Sequence, residues 1–298
     1  VQYTEWKINK IKIDIINIYQ FSLMPKYIKT DHFTRIIHMD HVHNTDDILQ
    51  ALRQSYKMNQ DDLVSVILPT YNRYNSLVVA INSIKKQSYK NIEIIVINDA
   101  STQVEYKNLQ EQFNDIKVIN LEKNMRQQYN TKAAQGLTRN LGINFAKGKY
   151  IAFLDDDDFW FPEKIQIQLY FMKKYNFRVS STNFMNGNGP FDYKMLLKCK
   201  KALHYNKESL STLDHNLYTV SKNKIEYTQT STVMIEKSLL DEVGLFRLVD
   251  EEDWDLWRRI FDKTDFLYID IMLMYYDQEH GGGQNYQYGN NRDGKKTN

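Results

Sequence analysis

The 298-residue sequence has a single cysteine, Cys199, so it cannot form an intramolecular disulfide, which suits a reducing compartment. No apolar run approaches the roughly 18–20 residues needed to cross a bilayer, so no transmembrane segment is expected. No block of five or more basic residues occurs and the net charge is only +2. Composition therefore gives no argument for nucleic-acid binding. Proline (4) and glycine (11) are scarce while Ile, Asn, Lys and Tyr are abundant, a bias attributed to coding composition rather than function. There is no internal repeat and no low-complexity linker. The chain opens on Val1 rather than Met, as expected if a longer N-terminus or leader has been removed, and no signal-peptide pattern is visible in it.

What is present describes an ordinary globular chain. Hydrophobic residues make up 42% and charged residues 26%, enough for a sizeable core in one large or two small domains. Residues 1–61 read as an accessory segment, 62–282 as the main domain and 283–298 as a flexible tail. In the first, Ile11, Ile13 and Ile15 alternate like a strand, and Asp46 or Asp47 is placed to cap a helix with Ile48, Leu52 and Tyr56 on its apolar face. His32, His38, His41 and His43 are not accompanied by cysteine, and their spacing matches no strong zinc signature.

The main domain alternates strands with helices. Strands are predicted over Val64–Leu68 (stopped by Pro69), Ile92–Ile97, Ile116–Asn120 and Tyr150–Leu154. Helices are predicted from a cap at Asn75 or Ser76 to Gln87, over 103–113, and over 133–146 with Gly148 closing it. That alternation implies an α/β fold with a doubly wound, Rossmann-like, mostly parallel sheet, in which ligands bind beyond the carboxyl ends of the strands. Three strand ends carry polar clusters: Thr70–Arg73, Asn98–Asp99 and Asp155–Asp158. Further on, Asn186–Pro190 reads as a turn, Ser231–Ile235 as a strand and Ser238–Val243 as a helix ended by Gly244. Trp254, Trp257 and Ile260 form an apolar stripe on a helix from about Glu251, and Phe266–Tyr276 reads as one or two strands.

The acidic run is the sharpest chemical signal. Four successive carboxylates repel one another unless a cation or solvent relieves them, and this run follows directly on the apolar Ile151–Leu154. Mg²⁺ or Mn²⁺ suits such a site, being hard, oxygen-liganded and held by one or two carboxylates plus substrate phosphates. In an extended segment Asp155 and Asp157 would share one face, Asp156 and Asp158 the other. The bland alternative is an acidic, solvated loop. Asp99 either accepts hydrogen bonds from a base or ribose or caps a helix. Tyr71 offers a face for a base or simply sits on the rim. Arg73 or Arg139 could meet a diphosphate, and Arg139 reads equally well as a solvated helix residue.

Val64–Arg73 (VSVILPTYNR), Ile94–Ser101 (IIVINDAS), Gly136–Ile143 (GLTRNLGI), Ala146–Phe161 (AKGKYIAFLDDDDFWF) and Glu252–Arg258 (EDWDLWR) occur in that order. As a set they resemble family 2 glycosyltransferases of the GT-A fold over roughly residues 62–282. The resemblance implies that Pro69, Tyr71 and Arg73 hold the nucleotide base and that Asp99 contacts uracil. It places the Asp-x-Asp metal and diphosphate motif on Asp155-Asp156-Asp157, with Asp157 the foremost ligand and Asp156 on the donor's ribose or diphosphate. It makes Asp253 the catalytic base. Asn98-Asp99-Ala100-Ser101 stands where members often have Asp-Asp-Gly-Ser, and the usual Tyr-Arg-x-His appears as Tyr275-Tyr276-Asp277-Gln278-Glu279-His280, leaving His280 as the metal- or phosphate-side histidine.

The resemblance further implies inverting transfer from a nucleotide-diphospho-sugar, with a UDP-sugar expected, to a hydroxyl of a glycan or glycoconjugate acceptor. A divalent cation (Mn²⁺ or Mg²⁺) would assist, with a C-terminal region on the acceptor side. Two other readings remain: a sugar-nucleotide-binding or scaffold protein without activity, and a nucleotidyltransferase. The absence of glycine from Pro69–Arg73 argues against the latter. The expected location is cytoplasmic, with peripheral membrane contact compatible; oligomeric state is left open.

Overall fold

The computed structural model describes residues 45–131, 134–192, 200–201, 210–214, 217–220 and 228–279. The anticipated strand at Ile11–Ile15, the four N-terminal histidines, Cys199, His280 and the 283–298 tail lie outside the described residues.

One half of the sheet is four short parallel strands: the apolar β1 (Val64–Thr70), β2 (Ile92–Asn98) and β4 (Tyr150–Phe153), and the partly exposed edge strand β3 (Lys117–Asn120). They are arranged 3-2-1-4, and the sheet continues through β10 (Met234–Glu236), β6 (Val179–Gly187), β11 (Phe266–Asp277), β9 (Leu217–Val220) and β8 (Leu210–Asp214), with the two-residue β7 (Lys200–Lys201) paired to β6 off this path. β10 runs antiparallel between β4 and β6, while β11 and β6 are parallel. The sheet is therefore mostly parallel in its first half and mixed in its second.

Strand alternation divides the apolar residues between two layers. Val64, Val66, Leu68, Val96 and Ala152 face one layer, with α2 (Tyr74–Lys85) and α6 (Lys164–Tyr175). Ile67, Ile95, Ile97, Ile151 and Phe153 face the other, with α5 (Ala134–Phe145), α7 (Lys237–Val243) and α8 (Glu252–Phe261). Helices on both faces make the sheet doubly wound, as the alternation of elements implied. A further helix, α1 (Thr45–Ser55), lies against α6, where the Gln166 amide donates to the Ser55 carbonyl at 2.6 Å.

Several local expectations are corrected. Pro69 does not stop β1; it stays in register opposite Ile97. Its missing N–H faces the β4 side, where pairing has already ended at Ile67–Phe153, so no ladder bond is lost. α2 starts at Tyr74, with Arg73 rather than Asn75 or Ser76 at the N-cap position. α1 starts at Thr45, which puts Asp46 and Asp47 in its first turn rather than at its cap. The expected 103–113 helix is a 3-10 turn over Val104–Asn108 followed by the one-turn α3 (Leu109–Gln112). Gly148 does not end α5. It lies where a Cβ would sit 2.7 Å from the Leu63 carbonyl, so it lets the incoming β4 approach β1.

Asn186 and Gly187 still belong to β6, paired with Tyr276 and Asp277, and the turn starts only after them. Ser231–Ile235 divides into a 3-10 turn, Thr230–Thr232, and the short β10. On α8, Leu256, Trp257, Ile260 and Phe261 are buried and Trp254 is only partly so, which moves the stripe off Trp254. The short α4 (Met125–Tyr129), and α6 and β5 (Phe159–Trp160), were not anticipated.

A candidate donor site at the carboxyl ends of the central strands

β1, β2 and β4 end side by side, and the three polar clusters meet there. The acidic run leaves β4 and turns at once: the Asp158 N–H donates to the Asp155 carbonyl at 3.1 Å. Two residues on, β5 pairs antiparallel with β11 (Trp160 opposite Met274), which fixes the far end of the turn. The run is thus a tight turn and not an extended segment, and the alternating-face reading fails. Asp155 goes one way and Asp156 and Asp157 share a partner on the other.

That partner is Arg73. Its Nη1 lies 2.9 Å from Asp156 Oδ1 and 2.6 Å from Asp157 Oδ2. The Thr70 hydroxyl donates to Asp156 Oδ2 at 2.7 Å, and Tyr106 Oη stands 2.6 Å from Thr70 Oγ1 while accepting the Arg73 backbone N–H at 3.1 Å. Burial alone would weaken the charge on Arg73, but the carboxylates of Asp156, Asp157 and Asp155 outweigh it and hold the guanidinium above its usual range. Burial pushes Asp156 up to about 6, against the pull of Arg73. Burial, with Asp157 and Asp155 adding to it, lifts Asp158 well above the usual carboxylate range. Asp158 Oδ2 is buried with no partner among the described residues, while Oδ1 accepts the Asp277 N–H at 3.4 Å.

Arg139 makes the second ion-pair group. It is 3% exposed, so the reading of it as a solvated helix residue is wrong. Its Nη2 lies 2.7 Å from Asp155 Oδ1 and its Nη1 3.3 Å from Glu252 Oε1. The Gln135 amide adds a 3.4 Å contact to the same Asp155 oxygen, and the Ser231 hydroxyl accepts the Asp155 N–H at 3.0 Å. Burial raises the Glu252 carboxyl to about 7; Arg139 opposes that rise and Asp253 adds to it. Asp253, next along α8, accepts the Thr230 hydroxyl at 3.2 Å on Oδ2 and the Trp254 N–H at 2.9 Å on Oδ1. It lies in the first turn of α8, where the helix dipole favours a negative charge, and its side chain is only half-buried.

Asp99 is 2% exposed at the end of β2. Its carboxylate accepts the Asn124 amide at 2.9 Å and the Met125 N–H at 2.8 Å, so it braces the start of α4 across the loop. Ala100 takes φ 59°, the left-handed conformation that glycine adopts without cost. The Asn98 side chain accepts the Ser101 N–H at 3.0 Å and the Thr70 carbonyl accepts the Asp99 N–H at 2.9 Å, which hold the turn despite the Cβ. Pro69 is buried within β1, and Tyr71 is half-buried on the turn that follows.

Thus Arg73, Arg139, Asp155, Asp156, Asp157 and Asp253 are brought together, and Asp99 flanks them from β2. Sequence reading missed Thr70 as a ligand to Asp156, and Thr230, Ser231, Tyr106 and the pairing of Glu252 with Arg139. Thr70 and Glu252 sat inside quoted motifs; Tyr106 carried only the weak signal of a lone aromatic in a polar stretch.

Six carboxyls (Asp155–Asp158, Glu252, Asp253) surround two guanidiniums, so full ionisation would leave an excess of negative charge. A hard divalent cation fits this donor set by charge and by oxygen chemistry. Among the described residues no three His, Cys, Asp or Glu side chains are grouped as a ready-made cage. Among the described residues no helix is long and apolar enough to cross a membrane.

The model of the family described as Glycosyl transferase family 2 matches residues 65–244. An uncharacterized glycosyltransferase of Rickettsia felis is 43% identical over 127 residues, 42% of this chain; the match spans only 20% of that relative's length. The Escherichia coli protein WfgD, named a UDP-Glc:alpha-D-GlcNAc-diphosphoundecaprenol beta-1,3-glucosyltransferase, is 32% identical over 211 residues, covering 68% of this chain and 71% of WfgD. The crystal structure of Staphylococcus aureus TarS 1-349 in complex with UDP superposes with a TM-score of 0.57 at 21% identity, covering 72% of this chain and 60% of that one.

Proposed function

The chain belongs to glycosyl transferase family 2, and from that premise we propose that it transfers a sugar, with inversion, from a UDP-sugar to a hydroxyl of a glycan or glycoconjugate acceptor. The observation that carries the proposal is the meeting, at the ends of β1 and β4, of the Arg73–Asp156–Asp157 group with the Arg139–Asp155–Glu252 group, next to the half-buried Asp253. The WfgD name makes UDP-glucose the first donor to try and a GlcNAc-diphosphate lipid the first acceptor.

In this reading Asp99 and Tyr71 receive the uracil, with Pro69 shaping the strand end beneath them. Asp157 and Asp155 would hold Mn²⁺ or Mg²⁺, and His280 is a third candidate ligand. When bound, such a cation neutralises charge on a departing diphosphate. In this reading Arg73 and Arg139 keep Asp155, Asp156 and Asp157 oriented while the donor enters, and both would face the charge that develops on its diphosphate. Each also retains a buried Nε–H with no acceptor among the described residues.

Asp253 takes the proton from the acceptor hydroxyl as that oxygen attacks the anomeric carbon; the bond to the diphosphate oxygen breaks and its electron pair leaves with the nucleotide. The Thr230 hydroxyl aims one carboxylate oxygen, and the Trp254 N–H steadies the other. A base positioned in this way contributes about 10²–10⁴-fold. Asp253→Asn should lose about that much transfer while UDP binds as before, read by donor turnover with Mn²⁺ and by calorimetry. Transfer equal to that of the unsubstituted chain would remove Asp253 as the base.

A further inference from the structure

The turn after β1 and the turn after β4 are tied by a closed circuit of hydrogen bonds that passes through a residue outside every motif of the site. From the Arg73 backbone, an N–H donates to Tyr106 Oη at 3.1 Å. Tyr106 Oη lies 2.6 Å from Thr70 Oγ1, Thr70 donates to Asp156 Oδ2 at 2.7 Å, and Asp156 Oδ1 returns to the Arg73 side chain at 2.9 Å. The directions are forced. Thr70 has one hydroxyl proton, and it goes to the carboxylate. Tyr106 must therefore donate to Thr70, because a 2.6 Å oxygen pair needs a proton between its members. Every member of the circuit is buried or nearly so: Tyr106 is 4%, Thr70 3% and Asp156 5% exposed. Water therefore cannot easily replace a missing link, and the loss of one is felt by the others.

We infer that Tyr106 is a positioning residue of the donor site, whose hydroxyl locks Thr70 and the Arg73 backbone so that Arg73 and Asp156 meet the nucleotide diphosphate in one fixed arrangement. Tyr106 touches no reacting atom. It acts from the 3-10 turn after β2, the strand that also supplies Asp99, so the circuit makes one rigid unit of the ends of β1, β2 and β4. The inference rests on the donor reading above only for what the circuit positions; the circuit itself stands on the distances.

The test uses the full chain and Tyr106→Phe, which keeps the ring and removes only the hydroxyl. Tyr170→Phe, on α6 and remote from the site, is the control. UDP binding with Mn²⁺ is measured by calorimetry well below the melting temperature of every variant. Tyr106→Phe should weaken UDP about tenfold, the effect of roughly one buried hydrogen bond, and Tyr170→Phe should leave it unchanged. In parallel, unfolding midpoints without nucleotide are compared for Tyr106→Phe, Asp156→Asn and the double variant. A closed circuit requires that the double variant fall by clearly less than the sum of the two single shifts. Unchanged UDP affinity in Tyr106→Phe, when the unsubstituted chain binds UDP, overturns the inference, as do additive midpoint shifts. If the unsubstituted chain binds no UDP, the donor reading fails, and the midpoint comparison still decides the circuit.

Discussion

Arg139→Met tests the electrostatics of the site most directly. The guanidinium is almost wholly buried and compensates two carboxylates, Asp155 at 2.7 Å and Glu252 at 3.3 Å. Methionine keeps much of the volume and removes the charge. Breaking a buried pair from one side costs about 3–5 kcal/mol, because the partners left behind are uncompensated. The cost should depend on pH in a defined direction. Burial already raises Glu252 to about 7 from an ordinary 4.5, and Arg139 is the influence that holds it down, so its loss lifts the carboxyl further.

A carboxyl whose folded-state value is raised binds its proton more tightly when folded. Its contribution is fully present below about 4.5 and is lost as pH rises through about 7. The penalty of Arg139→Met should therefore be largest at pH 8 and smaller by about 1–2 kcal/mol at pH 5, where Glu252 is protonated. Urea unfolding followed by tryptophan fluorescence at the two pH values reads this. Adding Glu252→Gln should recover part of the loss at pH 8 and little at pH 5. Equal penalties at both pH values, or no recovery by the double variant, would refute the argument that Arg139 is there to compensate Glu252.

Three more outcomes are expected. Asp157→Ala should weaken Mn²⁺-dependent donor binding measured by titration, and unchanged metal dependence would count against Asp157 as a ligand. Glu163, buried at the start of α6 with neither carboxyl oxygen partnered among the described residues, is raised by burial to about 8 from 4.5. Its stabilising contribution is present below about 4.5 and lost as pH rises through about 8, so Glu163→Gln should match the unsubstituted chain near pH 5 and exceed its stability by about 1–3 kcal/mol above pH 8 in denaturant titrations. Gly142→Ala should destabilise by about 1–3 kcal/mol in the same assay, because the new Cβ would sit 2.4 Å from Ile67 Cγ2 in the packed layer between α5 and β1.

The strands were legible because their composition is extreme. Val64–Leu68, Ile92–Ile97 and Tyr150–Leu154 are nearly unbroken apolar runs, as strands buried on both faces must be. Their alternation with helices then required a parallel sheet, and a parallel sheet required its polar strand ends to gather on one edge. The weaker segments failed for equally physical reasons. α6 buries Lys164, Gln166 and Gln168 beside its apolar residues, so it has no clean polar face to mark it as a surface helix. Pro69 looked like a strand stop because sequence does not show that the neighbouring strand has already ended on that side.

For the site, sequence alone determined which residue types would be present and at which strand ends: four aspartates after β4, an arginine after β1, an aspartate after β2 and an acidic pair opening α8. It could not determine who faces whom. Asp155 and Asp156 are neighbours in the chain, yet the tight turn sends one to Arg139 and the other to Arg73. Arg139 and Glu252 lie 113 positions apart, and only the packing of α5 against α8 brings them within 3.3 Å. Tyr106 enters the site because β2 delivers its following turn beside β1. Residue chemistry is local and can be read along the chain; charge compensation and hydrogen-bond direction depend on distances of a few ångströms between segments, and folding alone sets those.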